Sequence, residues 1–276
     1  MLSIRHQVAR LARSRLTLTR LALLGLVATS SSSVQAINLS QIQGKGQFRI
    51  AFSTAQPPLI SQEKTGVQGF VTELLSVVGK KMKVSNFVWS KAASPDALIA
   101  GLQAGRYDAV LDSQLPRPLG GVSISTPLAC DGGVILSRPG GPEFEEDLEN
   151  KRIAVVSGSD AFFYVRNLSF KKKVNVFIDE NQALLSFLSG SADALVINRY
   201  AALKIFKKAG PETVQVSSLL WSEDVALVFK KGDASVGLAN TDVLGPINTV
   251  LTDMLKDGSY TALSNKYFGQ DVRCER

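Results

Sequence analysis

The sequence predicts an α/β protein built from two similar lobes, and three observations carry that prediction. Short apolar runs alternate with helical patterns of about ten residues between Phe48 and Leu111, the rhythm of a parallel sheet. Part of this unit returns in the second half of the chain. Two strand-like apolar stretches, Thr126 to Leu136 and Trp221 to Phe229, lie between the copies and after the second one, placed to cross between lobes.

Each element has its own signal. Phe48-Arg49-Ile50-Ala51-Phe52 is a short apolar run after a Gly-rich lead, hence a strand. Phe70 to Met82 carries Phe70, Leu74, Leu75 and Val78 at helical spacing. Val84 to Trp89 reads as the next strand. Ser94-Pro95 is an N-cap followed by proline at the first helical position, and Gly105 stops that helix. Tyr107 to Leu111 is again a strand. Then Arg152-Ile153-Ala154 repeats Arg49-Ile50-Ala51, and Ala183 to Val196 resembles Ala97 to Val110 with one residue of gap, Asp193-Ala194 falling on Asp108-Ala109. Each copy is a helix, a glycine stop and an Asp-Ala that enters a buried strand. The charge runs Glu143 to Asp147 and Lys171 to Lys173 read as solvated loops.

The balance of 31 basic and 24 acidic residues gives a formal charge of +7, which invites a nucleic-acid reading. That excess sits at the start: the first 36 residues hold Arg5, Arg10, Arg13, Arg15, Arg20 and no acid. The remainder is near neutral, at +2, with little electrostatic reason to bind a phosphate backbone. An Arg-rich start, the apolar run Leu21 to Ala28, a serine run and Val34-Gln35-Ala36 follow the order of a secretory signal, so residues 1–36 are expected to be removed and the protein exported. The apolar run is far short of the ~20 residues that span a bilayer, and no cysteine near the cut suggests a lipid anchor. Cleavage also removes His6, the only histidine, and with it Ser-His-Asp, Cys-His and His-ligated zinc chemistry. Two distant cysteines make no metal cluster, and neither glycine-rich phosphate motif is present. No metal or cofactor is expected. Carboxylate, Lys or Tyr catalysis stays open. In an oxidising compartment Cys130 and Cys274, the only pair, are expected to form a disulfide that pins the tail beside the first crossing stretch.

Six segments in order resemble the bacterial extracytoplasmic (periplasmic) solute-binding proteins of polar amino-acid ABC importers, family 3. Arg49 to Phe52 with Gln56-Pro57-Pro58-Leu59 resembles the family's first strand and Tyr-Pro-Pro-Phe turn. Gly69-Phe70-Val71-Thr72-Glu73-Leu74 resembles its entry to the first helix, and Leu98 to Asp108 its Leu-Ile-Pro-Ala-Leu-Gln-x-Gly-x-Tyr-Asp. Ile124-Ser125-Thr126-Pro127 is similar to Phe-Ser-x-Pro before the crossing. Asp147 to Ser159 resembles Asp-Leu-x-Gly-Lys-x-Val-Ala-Val-x-x-Gly-Thr, and Asp257 to Gly269 resembles Asp-Gly-Thr-Tyr through Lys-Trp-Phe-Gly. The match covers nearly all of residues 45–269.

The resemblance implies a type II periplasmic-binding-protein fold with two crossing hinge strands. Residues 45–129 with 226–270 would form lobe 1, 130–225 lobe 2, and 271–276 a tail. It implies a monomeric periplasmic protein that closes on a small polar ligand, an amino acid or related carboxylate, and delivers it to a membrane ABC permease; nucleic acid is not expected as a partner. Carried over residue by residue, Arg117 in Asp112-Ser113-Gln114-Leu115-Pro116-Arg117-Pro118 would fork onto the ligand carboxylate just past a strand's carboxyl end. Ser157 and Ser159-Asp160 would present hydroxyls and amides at a helix start. Asn198-Arg199 follows a strand, and Arg199 takes the place of an ammonium-binding Asp. Ser53 replaces a first-strand Asp, Gln56 the turn's stacking aromatic, and Leu59 its Phe. The expected amino-acid set is thus altered, with Asp112 and Asp160 placed to supply negative charge, or with a ligand that lacks an ammonium. Two other readings stay open: an enzyme akin to the cyclohexadienyl (arogenate/prephenate) dehydratases of the same exported fold, and a sensor or interaction protein.

Overall fold

Asn38 opens the described part of the chain: in the computed structural model, which describes residues 38–112, 120–232 and 241–274, its side chain accepts the Gln41 amide and caps α1 (Leu39–Lys45). β1 (Phe48–Phe52) leads through the hairpin β2 (Ser61–Glu63) and β3 (Gly66–Gln68) into α2 (Phe70–Lys81), whose Phe70, Leu74, Leu75 and Val78 are all buried. β4 (Phe87–Lys91), α3 (Pro95–Gln103) and β5 (Ala109–Asp112) complete the first unit. Ser94 caps α3 as the sequence predicts, accepting the Ala97 amide. β6 (Val122–Ile124) precedes the long strand β7 (Ala129–Ser137), which is buried along its whole length. The second unit is β8 (Arg152–Val156), α4 (Asp160–Asn167), β9 (Lys173–Phe177), α5 (Glu180–Leu188), β10 (Ala194–Asn198) and α6 (Arg199–Ala209). β11 (Gln215–Val216) and the long strand β12 (Trp221–Lys230) return the chain, and α7 (Thr241–Lys256) and α8 (Ser259–Phe268) close it.

The strands form one continuous order, β4-β1-β5-β12-β7-β10-β8-β9. Its two ends are copies of each other. In one, β1 runs parallel between β4 and β5 and β12 is added antiparallel; in the other, β8 runs parallel between β9 and β10 and β7 is added antiparallel. The seam is the antiparallel pairing of Ala129 to Gly133 with Trp221 to Val225. β7 and β12 are therefore the two crossing hinge strands, each pairing with the other by one half and with its lobe's sheet by the second. Separate apolar clusters serve the two ends. One gathers Ile50, Phe70, Leu74, Leu251 and Phe268; another gathers Val134, Phe187 and Leu195.

The internal repeat has a physical basis. Arg49 donates its backbone N–H and Nε to Asp108 Oδ2 at 2.8 and 3.1 Å and Nη2 to Oδ1 at 2.6 Å. Arg152 makes the same three bonds to Asp193 at the same distances. The Asp108 and Asp193 amides return bonds to the Arg49 and Arg152 carbonyls, both at 2.8 Å. Each Arg-Ile-Ala strand is thus locked to its Asp-Ala partner by one bidentate clamp.

Several boundaries differ from the sequence reading. The strand expected at Val84 to Trp89 runs instead from Phe87 to Lys91, because the Val84 amide closes α2 on the Gly79 carbonyl at 2.8 Å. The strand expected from Tyr107 starts at Ala109, since Asp108 is held by Arg49. The acidic run is not a plain loop: Glu145–Leu148 is a 3-10 turn, with Asp147 accepting the Glu143 and Phe144 amides at 3.0 Å. Of the basic run, Lys173 begins β9 and Lys172 Nζ caps the Leu168 carbonyl at 2.6 Å. The expected signal segment lies outside the described residues.

Candidate functional site

A cleft of about 400 Å³ opens over the crossing strands. Ala55, Gln56 and Pro57 line it from the turn after β1; Ser159 and Asp160 from the start of α4; Asn198, Tyr200 and Lys204 from the end of β10 and from α6; Gly132, Trp221 and Glu223 from the hinge strands. Such a site at strand ends, between two sheets, is where α/β proteins hold small molecules.

The sequence-predicted residues divide sharply. Gln56 is fixed by paired backbone bonds with Ile60 at 2.9 and 3.1 Å and points its amide into the cleft wall. Ser159 caps α4, accepting the Phe162 amide at 3.1 Å while its hydroxyl donates to the Val156 carbonyl at 2.7 Å. Asp160 and Asn198 also line the cleft. Ser53 is buried and Leu59 is packed in the core, and neither lines it. Ser157 is exposed, outside the lining, with its amide bonded to the Phe177 carbonyl at 2.7 Å. Asp112 ends β5. Ser113, Leu115 and Arg117 lie outside the described residues.

Arg199 does not face the cleft. Its guanidinium donates to the Cys130 and Asp271 carbonyls, both at 3.1 Å, on the other side of the hinge. There it lines a separate hollow with Ser218, Ser222 and Arg273. The position that looks into the cleft is the strand's last residue, Asn198, one step earlier. Arg199 is thereby removed from the argument for an acid-rich ligand.

Two residues not singled out by sequence hold the site together. Asp131, 1% exposed, accepts the Gln56 amide at 2.9 Å, the Asn198 amide at 2.7 Å and the Gly132 N–H at 2.8 Å. Burial pushes its carboxyl up, and these three hydrogen bonds and the Arg199 charge pull it back only in part. Across the hinge its register partner is Glu223, which accepts the Trp221 indole N–H at 3.1 Å. Burial raises Glu223 as well; the indole bond opposes this, and the neighbouring Asp131 and Asp160 carboxylates add to the rise. Trp221 packs closely on the Gly-Gly pair: a Cβ on Gly133 would sit 1.9 Å from its ring and one on Gly132 1.9 Å from its carbonyl oxygen. The Tyr164 ring packs against the indole, centroids 4.8 Å apart. The signal for all this is an aspartate and a glycine pair inside an otherwise apolar crossing strand, where burial forbids a carboxylate without partners.

Cys130 and Cys274 are disulfide-bonded, as expected from export. The tail they hold is ordered by further contacts: the Cys130 amide donates to the Val272 carbonyl at 2.8 Å, and Val272 is fully buried.

Comparison with known proteins agrees with this architecture. Residues 48–270 match the family described as bacterial extracellular solute-binding proteins, family 3. The L-cystine-binding protein TcyJ of Escherichia coli (strain K12) is 24% identical over 272 residues, covering 92% of this chain and 97% of that protein. The probable amino-acid-binding protein YxeM of Bacillus subtilis (strain 168) is 28% identical over 260 residues, covering 90% of each. Among solved structures, a polar amino acid ABC uptake transporter substrate-binding protein from Streptococcus thermophilus superposes with a TM-score of 0.72 at 22% identity, over 85% of this chain and 90% of that one.

Proposed function

The chain belongs to the bacterial extracellular solute-binding proteins of family 3, and from that premise we propose that it captures an amino acid or related small carboxylate in the cleft and presents it to a membrane ABC importer. The observation that carries this reading is the cleft itself: it is lined from both lobes and floored by the two strands on which the lobes hinge. Closure around a solute buries it and reports its presence to a transporter. The relatives named above are themselves binding proteins, two of them for amino acids by name. The lobes divide at 129/130 and 225/226 in this proposal, and the protein acts in the periplasm as a monomer after a cut near Ala36.

The carboxylate end of the solute is assigned to the start of α4, where Ser159 and the first-turn amides converge, together with Arg117. A thermal-shift screen of amino acids and small carboxylates, followed by calorimetry, tests the function. A ligand at 100 times its dissociation constant stabilises by ~2.7 kcal/mol. Arg117→Ala is expected to weaken that ligand more than about tenfold without unfolding the protein; unchanged affinity removes Arg117 from the site.

A further inference from the structure

Three groups far apart in sequence meet at the seam of the hinge strands, on the side away from the cleft. Cys130 and Cys274 are bonded across 144 residues. Asp224 is the register partner of Cys130 across β7 and β12, and its Oδ1 lies 3.4 Å from Cys274 Sγ. Both sulfurs and a carboxylate oxygen of Asp224 lie within 4.8 Å of one another. Two residues before Asp224, and so on the same face of β12, Ser222 places its hydroxyl 2.9 Å from Cys130 Sγ. A disulfide is uncharged and gains little from a carboxylate at its edge. Two thiolates with a carboxylate are a donor set for a thiophilic divalent cation.

Access and persistence point the same way. Cys130 and Ser222 line the hollow of about 370 Å³ behind the hinge, which gives an ion an entry path. The tail has other reasons to stay beside Cys130: the Cys130 amide donates to the Val272 carbonyl at 2.8 Å, and Arg199 donates to the Asp271 carbonyl at 3.1 Å. Arg199 also donates to the Cys130 carbonyl at 3.1 Å, and Arg273 lines the same hollow. Their charges favour thiolate over thiol once the bond is open.

We propose that the reduced protein binds one zinc ion through Cys130, Cys274 and Asp224. Two electrons and two protons pass from a dithiol reductant to the bond, the dithiol closes to its own disulfide, and the sulfurs part as thiols. Zinc then displaces both protons. A tetrahedral zinc with Zn–S of about 2.3 Å holds its sulfurs about 3.8 Å apart, within the present spread of the three donors. Water takes the fourth position, and the Ser222 hydroxyl donates to the Cys130 thiolate. Two thiolates, a carboxylate and a dication leave one negative charge, which the neighbouring Arg199 offsets. The tail is thus fastened to the hinge in either redox state. Nothing in this depends on what the cleft binds.

The test reduces the protein with a water-soluble phosphine, which leaves as its oxide, and titrates it without air with cobalt(II), then zinc(II). One equivalent of cobalt is expected to give a thiolate-to-cobalt charge-transfer band and the visible bands of a tetrahedral ion. Zinc is expected to bleach both and to raise the melting point of the reduced protein. The oxidised protein is expected to show neither effect. Asp224→Asn is expected to weaken zinc at least about tenfold against a chromophoric chelator, and Cys274→Ser to abolish the band while remaining folded by circular dichroism. Absence of the band in the reduced protein, whether folded or unfolded, overturns the proposal. So does a band that persists in Cys274→Ser, or full zinc affinity in Asp224→Asn.

Discussion

Arg199 and Asn198 are neighbours in sequence and serve opposite sides of the hinge, so changing one leaves the other's task intact. Replacing Arg199 by Asp removes two charge-assisted bonds to the Cys130 and Asp271 carbonyls and is expected to cost roughly 1.5–3 kcal/mol of stability. Ligand preference, read by competition between a neutral amino acid and a dicarboxylate, is expected to stay unchanged. A switch of preference would put Arg199 back in the cleft. Glu223 offers a different kind of test, through pH. Its carboxyl is raised above 4.5 by burial, against the Trp221 bond and with Asp131 and Asp160 adding to the rise; Glu180 and Lys204 share its cleft. A raised folded value means that Glu223's contribution is present below 4.5 and lost as pH rises through the raised value. Glu73, held low first by Lys266 and then by Tyr267, contributes above its ordinary range and loses that as pH falls. Melting points of the wild type, Glu223→Gln and Glu73→Gln measured across the acid range check both signs; a difference between wild type and Glu223→Gln that stays constant throughout contradicts the raised Glu223 carboxyl.

The two Arg–Asp clamps show how elements of equal geometry carry unequal weight. Asp108 is 1% exposed at its side chain and Asp193 is 32% exposed. Removing Asp108 leaves the Arg49 amide and a guanidinium whose side chain is 31% exposed without their buried partner, so Asp108→Ala is expected to cost about 2–3 kcal/mol. Asp193→Ala is expected to cost clearly less, since water reaches its partner. Equal losses by urea denaturation would mean that burial does not set the strength of the clamp. The crossing strands give a second element-scale test. Gly133→Ala drives a methyl into the Trp221 ring, and it is expected to weaken solute binding through the displaced indole and Glu223, at a stability cost of about 1–3 kcal/mol. These same elements show what the sequence carries. The Arg-Ile-Ala and Asp-Ala repeats announce the doubled sheet because one clamp is written twice. α2 and α3 are legible from spacing and capping, whose causes are local. The cleft is less so. Gln56 lies in the turn after β1, Asn198 at a strand end and Ser159-Asp160 at a helix start, places that sequence can locate. Asp131 and Glu223 sit on different strands, and only the antiparallel pairing of β7 with β12 brings them opposite each other. The direction of Arg199 is likewise a tertiary fact: a one-residue step at the start of α6 decides whether a side chain meets solute or tail.

At the scale of the molecule, the tail closes a loop through nearly the whole of the second half of the chain. Cys130 and Cys274 are 144 residues apart, and a cross-link over so long a loop restricts the unfolded chain strongly, with a stabilisation of about 3–5 kcal/mol. The folded state does not depend on it in the same way. Val272 is buried, its amide donates to the Ser264 hydroxyl at 2.9 Å, and its carbonyl accepts from the Cys130 amide. Asp271 is held by Arg199, Thr261 and Arg273. With these contacts in place, the tail is expected to stay docked when the sulfurs part. Cys130→Ser with Cys274→Ser is therefore expected to lower the urea midpoint markedly while leaving solute affinity where it was. The oxidised protein, unfolded without reductant, is expected to show no free thiol, and two thiols there would refute the bond outright. If affinity falls along with stability in the double variant, the cross-link is also setting the hinge: Cys130 adjoins Asp131, and a shift of β7 at that point would displace Gln56 and Asn198 together.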